Sequence, residues 1–496
     1  MVSLITYANR LGSNLSELRR LLEGPLAGLF TGVHILPFFD PIDGEDAGFD
    51  PIDHLAVDSR IGDWESIGAI AENHSVMADL IANHVSAQSA AFLDVRTQGD
   101  TSAHWPLFLR KDSVFKDLSK DALANQCARI YRPRPGAPFT TITLDNGQSY
   151  EFWTTFSANQ LDINVEHPAG KSYLEAILHQ FADAGVKEVR LDAAGYAIKR
   201  AGTSCFMLPE TFEFIAELSD TASSLGIETL VEIHSHYEVQ CEIAKRVGRV
   251  YDFALPPLVL HTLYQNDSSP LKHWLSIAPR NCVTVLDTHD GIGIVDAGPS
   301  EDRPGLLNEA QIDALVETIH DKTQGQSREA SGESASNLDI YQVNSTYYDA
   351  LGGNDTDYLI ARAIQFFAPG TPQVYYVGLL AGVNDLALVK ETDTGRDINR
   401  HYYSETEIEQ ALNRPVVQEL MALIRLRNEL PVFNGEFTVD DSDDKTLSLS
   451  WLQGDNSARL VVDLINRSAI ITGTVAGKPM THTVGAMVPP ALAETA

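Results

Sequence analysis

Val189-Arg190-Leu191-Asp192 ends a short apolar, β-branched run with an acid. Two more runs end in the same way, Glu228-Thr229-Leu230-Val231-Glu232 and Val283-Thr284-Val285-Leu286-Asp287-Thr288-His289-Asp290. Runs of this kind are typical of buried parallel strands. An acid at the carboxyl end of such a strand points into the mouth of a β/α barrel. We therefore expect Asp192, Glu232 and Asp290 to converge on one substrate.

Strand-like runs alternate with amphipathic runs along most of the chain. Strands are predicted at residues 4–8, 32–38, 76–82, 186–191, 228–233, 249–253, 282–286 and 371–377. Helices are predicted at residues 16–22, 64–73, 172–184, 210–225, 238–247, 309–323 and 358–367, with Asn14 and Pro209-Glu210 as helix starts. This alternation predicts an α/β fold in which a parallel sheet closes as a (β/α)8 TIM barrel.

Two segments interrupt the alternation and are predicted as subdomains inserted at the barrel rim, where long loops usually carry function. After residue 432 the pattern changes to short alternating strands, at residues 437–439, 446–451, 459–464 and 470–475. The predicted organisation is a barrel at 1–82, 165–290 and 353–432, rim insertions at 83–164 and 291–352, and a small antiparallel β domain at 433–496.

Composition limits the classes of partner. The chain has 496 residues, 44% of them hydrophobic, which is ample for a large core, and a net charge of -32 that argues against nucleic acid or anionic membranes. The cysteines, Cys127, Cys205, Cys241 and Cys282, form no CxxC motif and are too few for a disulfide framework. They are expected to be reduced, in a cytoplasmic protein. The sequence shows no signal peptide and no bilayer-spanning apolar window.

Each strand-end acid has a catalytic and a structural interpretation. Arg190 shares a strand face with Asp192 and could keep an acid ionised, or it could form a buried ion pair that holds the barrel together. Glu232 could be a partly buried general acid, or a strand-end glutamate in water. Asp290, after His289, could grip sugar hydroxyls or cap a following helix. Because all three acids occur together, a catalytic site for glycosyl transfer is favoured.

No metal site is predicted. The 15 histidines contain no HExxH motif or clustered ligand spacing, and a lone histidine such as His84 at a strand end is more often structural. Asn83 and nearby aspartates leave calcium open as an alternative, but no DxDxDG-type loop supports it.

Four short stretches, 79–84, 190–192, Glu232 and 289–290, resemble the motifs of the α-amylase superfamily of retaining α-glycosidases. Within that superfamily the chain is most similar to the sucrose phosphorylases, through residues 32–39, 46–54, 130–136, 201–206, 250–257, 338–348 and 395–400. The resemblance covers nearly the whole chain and weakens after about residue 433.

The resemblance implies reversible phosphorolysis of sucrose to α-D-glucose 1-phosphate and D-fructose, by a retaining double displacement through a covalent β-glucosyl-enzyme. Slow hydrolysis and transglucosylation would accompany it. Asp192 would be the nucleophile, Glu232 the acid/base, and Asp290 the residue that stabilises the transition state. Inorganic phosphate would be a co-substrate, and no cofactor is expected.

The resemblance also implies the substrate-binding residues. On the glucosyl side they would be Asp46, Phe49, His84, Phe156, Gln160, Arg190, His289 and Arg396. On the acceptor side they would be Tyr131, Arg134, His234, Leu338, Asp339, Tyr341 and Gln342, and Tyr196 would also bind substrate. Arg134 would offer phosphate a planar, permanently charged fork, although alone it could be a surface arginine in a proline-rich turn, and Phe156 could be core.

Two alternatives stay open at this stage. One is a phosphorylase of sucrose 6'-phosphate, glucosylglycerol or glucosylglycerate; Asp339-Ile340-Tyr341-Gln342 adds no basic residue for a phosphorylated sugar, which favours sucrose. The other is a non-catalytic carbohydrate-binding barrel, which the presence of all three acids disfavours. The expected partners are sucrose, phosphate, glucose 1-phosphate and fructose, with no nucleic acid and no membrane. A homodimer stays open.

Overall fold

The computed structural model describes residues 1–116, 118–132, 136–300, 303–331 and 342–485. Its centre is a closed barrel of eight strands: β1 Ser3–Thr6, β2 Gly32–Ile35, β3 Ser75–Ile81, β4 Glu188–Asp192, β5 Glu228–Val231, β6 Arg249–Asp252, β7 Cys282–Thr284 and β8 Thr371–Tyr375. Each strand pairs in parallel with the next, and β8 pairs with β1. All eight predicted barrel strands, and the (β/α)8 fold, are confirmed.

Helices surround the barrel at Leu15–Glu23, Trp64–Ala71, Pro168–Asp183, Pro209–Ser224, Tyr237–Ala244, Leu255–Gln265, Ser269–Ile277, Glu309–Lys322, Asp355–Phe367 and Pro415–Glu429. Asn14 caps the first of them, since its side-chain oxygen accepts the Glu17 amide hydrogen at 2.9 Å. Pro209 is the first residue of its helix, as expected. Leu255–Gln265 was not predicted because its residues from Leu255 to Leu263 are all buried, so it has no polar face to produce a helical period.

Between β3 and β4 the chain forms short strands and helices over the barrel rim. The strands are His84–Ser86, Phe139–Thr143, Ser149–Trp153 and Gln160–Asp162, and the α-helices are Ala90–Gln98, Lys111–Val114 and Lys120–Cys127. The first and last of these strands pair antiparallel, with Ser86 opposite Gln160 and His84 opposite Asp162. This pairing returns the chain to the mouth of the barrel before β4 begins.

Between β7 and β8 the strands Ile292–Gly293 and Gln342–Val343 pair antiparallel, which places Gln342 beside the carboxyl end of β7. The described helices of this segment are Glu309–Lys322, Gln326–Ser331, Tyr347–Ala350 and Asp355–Phe367. After β8 follow Tyr376–Leu379, Leu386–Thr392 and the short 3-10 helix Gly395–Asn399, which carries Arg396.

The chain ends its described part in a five-stranded antiparallel sheet: Glu436–Val439, Thr446–Gln453, Asn456–Asp463, Ser468–Val475 and Lys478–Val484. The predicted antiparallel C-terminal domain is confirmed, with a fifth strand that was not predicted. Trp451 joins the sheet to the barrel by donating its indole hydrogen to the Phe367 carbonyl at 2.8 Å. Among the described residues, no helix has the length and apolar character needed to cross a membrane.

Candidate active site

The three strand-end acids meet at one pocket in the barrel mouth. Asp192 is the last residue of β4, Glu232 follows β5 directly, and Asp290 lies after β7. Their side chains are 12%, 12% and 9% exposed. The same pocket is lined by eight of the predicted binding residues, Asp46, Phe49, His84, Phe156, Tyr196, His234, His289 and Arg396.

Arg190 lies beneath this pocket and connects two of the acids. Its Nη1 is 3.0 Å from Asp192 Oδ1, and its Nη2 is 2.6 Å from Glu232 Oε1. Nη1 also pairs with Asp79 on β3, whose other oxygen lies 2.9 Å from His34 Nε2. Arg190 therefore has both of the roles considered above. It forms buried ion pairs that link three neighbouring strands, and it supplies the positive charge beside Asp192 and Glu232.

Asp192 and Glu232 behave as a pair. Burial raises the pKa of Asp192 well above its usual range; Arg190 opposes this, and the neighbouring Glu232, which is hydrogen-bonded to Asp192, adds to it. Burial and the Glu232 carboxyl therefore oppose ionisation of Asp192, and Arg190 favours it. A retaining glycosyl transfer requires an ionised nucleophile, and the Arg190 contact at 3.0 Å is the interaction that favours the ionised form of Asp192.

Asp290 has the opposite environment. Its Oδ1 lies 2.8 Å from Arg396 Nη1 and 4.0 Å from Arg400 Nη2. Burial alone would raise the pKa of Asp290, but the permanent charges of Arg396 and then Arg400 hold it well below the usual range. Asp290 is thus a permanent carboxylate. No helix begins at this residue, since Ile292–Gly293 is a strand, so Asp290 is not a helix cap.

An aromatic and imidazole layer forms one wall of the pocket. The rings of Phe49 and His289 stack at 4.8 Å with an interplanar angle of 9°, and the Arg190 guanidinium lies 5.3 Å from the Phe49 ring centroid. His84 Nε2 hydrogen-bonds the Phe49 carbonyl at 2.9 Å and lies 3.0 Å from Gln160 Nε2. Burial lowers the pKa of His289 to about 3, so it faces the pocket as a neutral imidazole.

Aromatic rings continue toward the outer part of the pocket. Tyr131 stacks on Phe206 at 4.6 Å and lies 6.2 Å from Tyr196, which meets Phe156 edge-on at 5.1 Å. Phe206 lines the pocket but was missed as a binding residue. The signal was present, because Phe206 ends one of the stretches that carry the family resemblance.

His234 and Gln342 connect Glu232 to the pair of Arg396 and Asp290. His234 Nε2 is 3.8 Å from Glu232 Oε1, and the Gln342 amide nitrogen is 3.4 Å from the same Nε2. The Gln342 oxygen accepts from Arg396 Nη2 at 3.3 Å. The structure thus brings His234, Gln342 and Arg396 together, although more than 150 residues separate the first from the last along the chain.

Four predicted acceptor-side residues, Arg134, Leu338, Asp339 and Tyr341, lie outside the described residues, and their placement stays a prediction.

Lys199, which was not predicted, occupies the position at which calcium was an alternative. Its buried ammonium lies 2.7 Å from Asp162 Oδ2, 3.2 Å from Asn83 Oδ1 and 3.1 Å from Thr155 Oγ1. The contact joins the segment after β3 to the chain after β4. A charged ammonium at the centre of these oxygen atoms leaves no place there for a cation.

Glu232, His234 and Asp290 present ligand atoms within 4.8 Å of one another, a spacing that a divalent cation could also use. Both carboxylates of that group already have guanidinium partners, at 2.6 Å for Glu232 and 2.8 Å for Asp290. These positive charges disfavour a second cation in the same space. The expectation of no metal site stays a prediction.

Known proteins place this geometry in a family. The α-amylase catalytic-domain model matches residues 28–254. The chain is 56% identical to a sucrose phosphorylase of Agrobacterium vitis, over 95% of this chain and 97% of that protein. It is 50% identical to a sucrose phosphorylase of Bifidobacterium adolescentis, over 93% of this chain and 92% of the relative.

A solved structure agrees with this. The sucrose 6F-phosphate phosphorylase from Thermoanaerobacter thermosaccharolyticum superposes with a TM-score of 0.88 at 39% identity, covering 97% of this chain and 98% of that one. With the closed barrel and three acids at its mouth, these similarities show that the chain belongs to the sucrose phosphorylase family of the α-amylase superfamily.

Proposed function

We propose that the chain catalyses the reversible phosphorolysis of sucrose to α-D-glucose 1-phosphate and D-fructose, with slow hydrolysis and transglucosylation as side reactions. One observation carries this proposal: Asp192 and Glu232, at the ends of adjacent strands, share Arg190 at 3.0 and 2.6 Å, and Asp290 lines the same pocket as a permanent carboxylate. The family of the chain supplies the substrate class.

In the first half of the reaction, ionised Asp192 attacks the anomeric carbon of the glucosyl group. The bond to the fructosyl oxygen breaks, and protonated Glu232 gives that oxygen its proton, so that fructose leaves neutral. The product is a β-glucosyl ester of Asp192. Arg190 supports both roles, because it stabilises the charge of Asp192 before attack and that of Glu232 afterwards.

Asp290 acts on the glucosyl group during both displacements. The reacting carbon carries positive charge in an oxocarbenium-like transition state, and a carboxylate that stays ionised stabilises it. We propose that Asp290 also accepts hydrogen bonds from the sugar 2- and 3-hydroxyls. Asp46, His84, Gln160, His289 and Arg396 would bind the remaining glucosyl hydroxyls, with Phe49 and Phe156 against the apolar ring face.

In the second half, a phosphate oxygen attacks the same carbon and Asp192 leaves. The phosphate proton passes to Glu232, which is then ready for the next sucrose. We propose that Tyr131, Tyr196, His234 and Gln342 form the acceptor side, together with Arg134, Leu338, Asp339 and Tyr341 from outside the described residues. An acid such as Asp339 is expected to face fructose and to withdraw when the phosphate dianion enters.

We also make proposals about the co-substrate, the location and the assembly of the protein. Inorganic phosphate is a co-substrate and no cofactor takes part. We propose a cytoplasmic location because Cys127, Cys205, Cys241 and Cys282 are all free thiols. We further propose rim insertions at 83–164 and 291–352, a C-terminal domain at 433–496, and assembly as a homodimer.

The test is a substrate panel. The purified protein is incubated with phosphate and, separately, sucrose, sucrose 6'-phosphate, glucosylglycerol or glucosylglycerate, and released glucose 1-phosphate is measured. We expect sucrose to have the highest kcat/KM of the panel. A higher kcat/KM for another member would show that this other glucoside is the preferred substrate. If no member releases glucose 1-phosphate, a non-catalytic carbohydrate-binding barrel is favoured.

A further inference from the structure

One carboxylate beside the pocket has no role in the reaction described so far. Asp296 lies on the segment after β7, and it is completely buried. Its Oδ2 lies 3.1 Å from His234 Nδ1, and its Oδ1 accepts from the Ser235 backbone amide at 3.1 Å and from Gln240 Nε2 at 2.8 Å. All three contacts come from the segment that follows Glu232. Asp296 therefore holds that segment in place.

The contact requires Nδ1 of His234 to carry a hydrogen, in the neutral ring and in the charged ring alike. An ionised carboxylate only accepts hydrogen bonds, so Nδ1 must be the donor. Nε2 then points the other way, to a place 3.8 Å from Glu232 Oε1, and the ring stacks on Phe253 at 3.8 Å. His234 itself lines the pocket. Its ring is therefore fixed in orientation, with Nε2 on the acceptor side.

Gly293 shows that the approach of Asp296 to His234 is close. A Cβ atom at residue 293 would lie 2.7 Å from Asp296 Oδ2 and 3.5 Å from His234 Nδ1. A Cβ atom at the first of these distances would displace the Asp296 carboxylate, so the contact as it stands depends on glycine at this position.

We propose that Asp296 is a positioning residue for the acceptor half of the reaction: it fixes the His234 ring with Nε2 toward the incoming acceptor, and its buried charge allows His234 to meet phosphate as an imidazolium. The inference deepens the proposed function and rests on it. Water and neutral acceptors do not need that positive charge. Phosphate does, in a chain whose net charge is -32.

The groups that face His234 are consistent with this role. They are Asp296, Glu232 and Asp290, with Arg396 behind Gln342. Burial alone would lower the pKa of His234, but Asp296, then Glu232 and Asp290, raise it above its usual range. Removing the charge of Asp296 is therefore expected to move protonation of His234 to lower pH.

The decisive variant is Asp296→Asn, which keeps the shape and removes the charge. We expect the KM for phosphate to rise about tenfold or more, as for a lost charge-assisted contact. The KM for sucrose and the rate of hydrolysis without phosphate should stay within about threefold. In wild type, the KM for phosphate should increase as His234 deprotonates with rising pH, and in Asp296→Asn this increase should occur at lower pH. Phosphate itself changes protonation in the same pH range. The ratio of the variant's KM for phosphate to that of wild type is therefore compared at each pH.

A double-variant cycle tests whether Asp296 acts through His234. In a His234→Gln background, Asp296→Asn should change the KM for phosphate little further. Asp252→Asn is the matched control, since Asp252 is also a buried carboxylate of the barrel, bonded to Trp274 Nε1 and the Leu255 amide at 3.0 Å each. We expect its KM for phosphate to equal that of wild type.

Three results would overturn the inference: folded Asp296→Asn with a wild-type KM for phosphate and pH dependence, an undiminished effect in the His234→Gln background, or an equal effect of Asp252→Asn. If Asp296→Asn does not fold, Gly293→Ala is measured in its place. We expect the same rise in the KM for phosphate, and little further rise in the His234→Gln background. Wild-type protein that makes no glucose 1-phosphate from sucrose would overturn the proposed function itself, whereas active wild type with unaffected variants would overturn this inference alone.

Discussion

Among the single side chains, Arg190 contacts three acids at once. It is fully buried and contacts Asp79, Asp192 and Glu232, so one guanidinium offsets part of the desolvation of three acids. Removing one partner of a buried ion pair is usually costly, because it leaves an unpaired charge in a poorly solvated place. The same arrangement that supports the chemistry therefore also contributes to the stability of the barrel.

Asp192→Asn should reduce phosphorolysis of sucrose by at least about 1,000-fold, because the nucleophile is lost while the side-chain volume is kept. Circular dichroism and gel filtration should match wild type. Asp183→Asn, at the exposed end of an outer helix, is the control and should be fully active. Substantial activity of a folded Asp192→Asn protein would refute the assignment of the nucleophile.

Glu232→Gln should impair sucrose far more than a donor whose leaving group needs no proton. With α-glucosyl fluoride, the first displacement should proceed at a rate much nearer that of wild type, because fluoride leaves without general acid help. The measurement is kcat/KM for both donors in both proteins. Equal losses with sucrose and with the fluoride would show that Glu232 is not the general acid.

Among the elements, the strands were the most predictable and the loop contacts the least. Each barrel strand is a short apolar run, and the local pattern alone located all eight. Leu255–Gln265 was missed because a helix that is buried on every side has no period to detect.

The candidate site divides in a similar way. Strand-end acids and family motifs located the carboxylates and most of the lining residues. Asp296 and Lys199 were missed because their significance comes from partners far along the chain, as for His234 and Asp296, which are 62 positions apart. No local sequence pattern reports a contact of that kind. Predictions for Arg134, Leu338, Asp339 and Tyr341 are not tested by the described residues.

Lys199 determines how the segment after β3 is held to the barrel. Lys199→Met should lower the free energy of unfolding by about 3–5 kcal/mol, because Asp162 is left as an unpaired buried charge. Lys171→Met is the matched control, since its pair with Glu217 is 50% and 67% exposed and such pairs contribute about 0–1 kcal/mol. The measurement is the thermal unfolding midpoint of each variant compared with wild type. Equal, small shifts would mean that the Lys199 contact is not structurally important.

For the whole molecule, the charge of -32 sets the response to salt. The field of the protein repels phosphate, and salt screens long-range repulsion, whereas contacts of about 3 Å within the site are affected much less. We expect the KM for phosphate to stay constant or fall slightly as NaCl is raised to about 0.5 M. A steep loss of affinity at moderate salt would contradict a site that works by short-range contacts.

The configuration of the product tests the central claim most directly. Two successive displacements at one carbon restore its original hand, so sucrose and phosphate should yield the α anomer of glucose 1-phosphate. Proton NMR of the freshly formed product, taken before any equilibration, identifies the anomer from the coupling at the anomeric position. We predict the α signal alone during initial turnover. A β-phosphate product would show a single displacement and would contradict the roles proposed for Asp192 and Glu232.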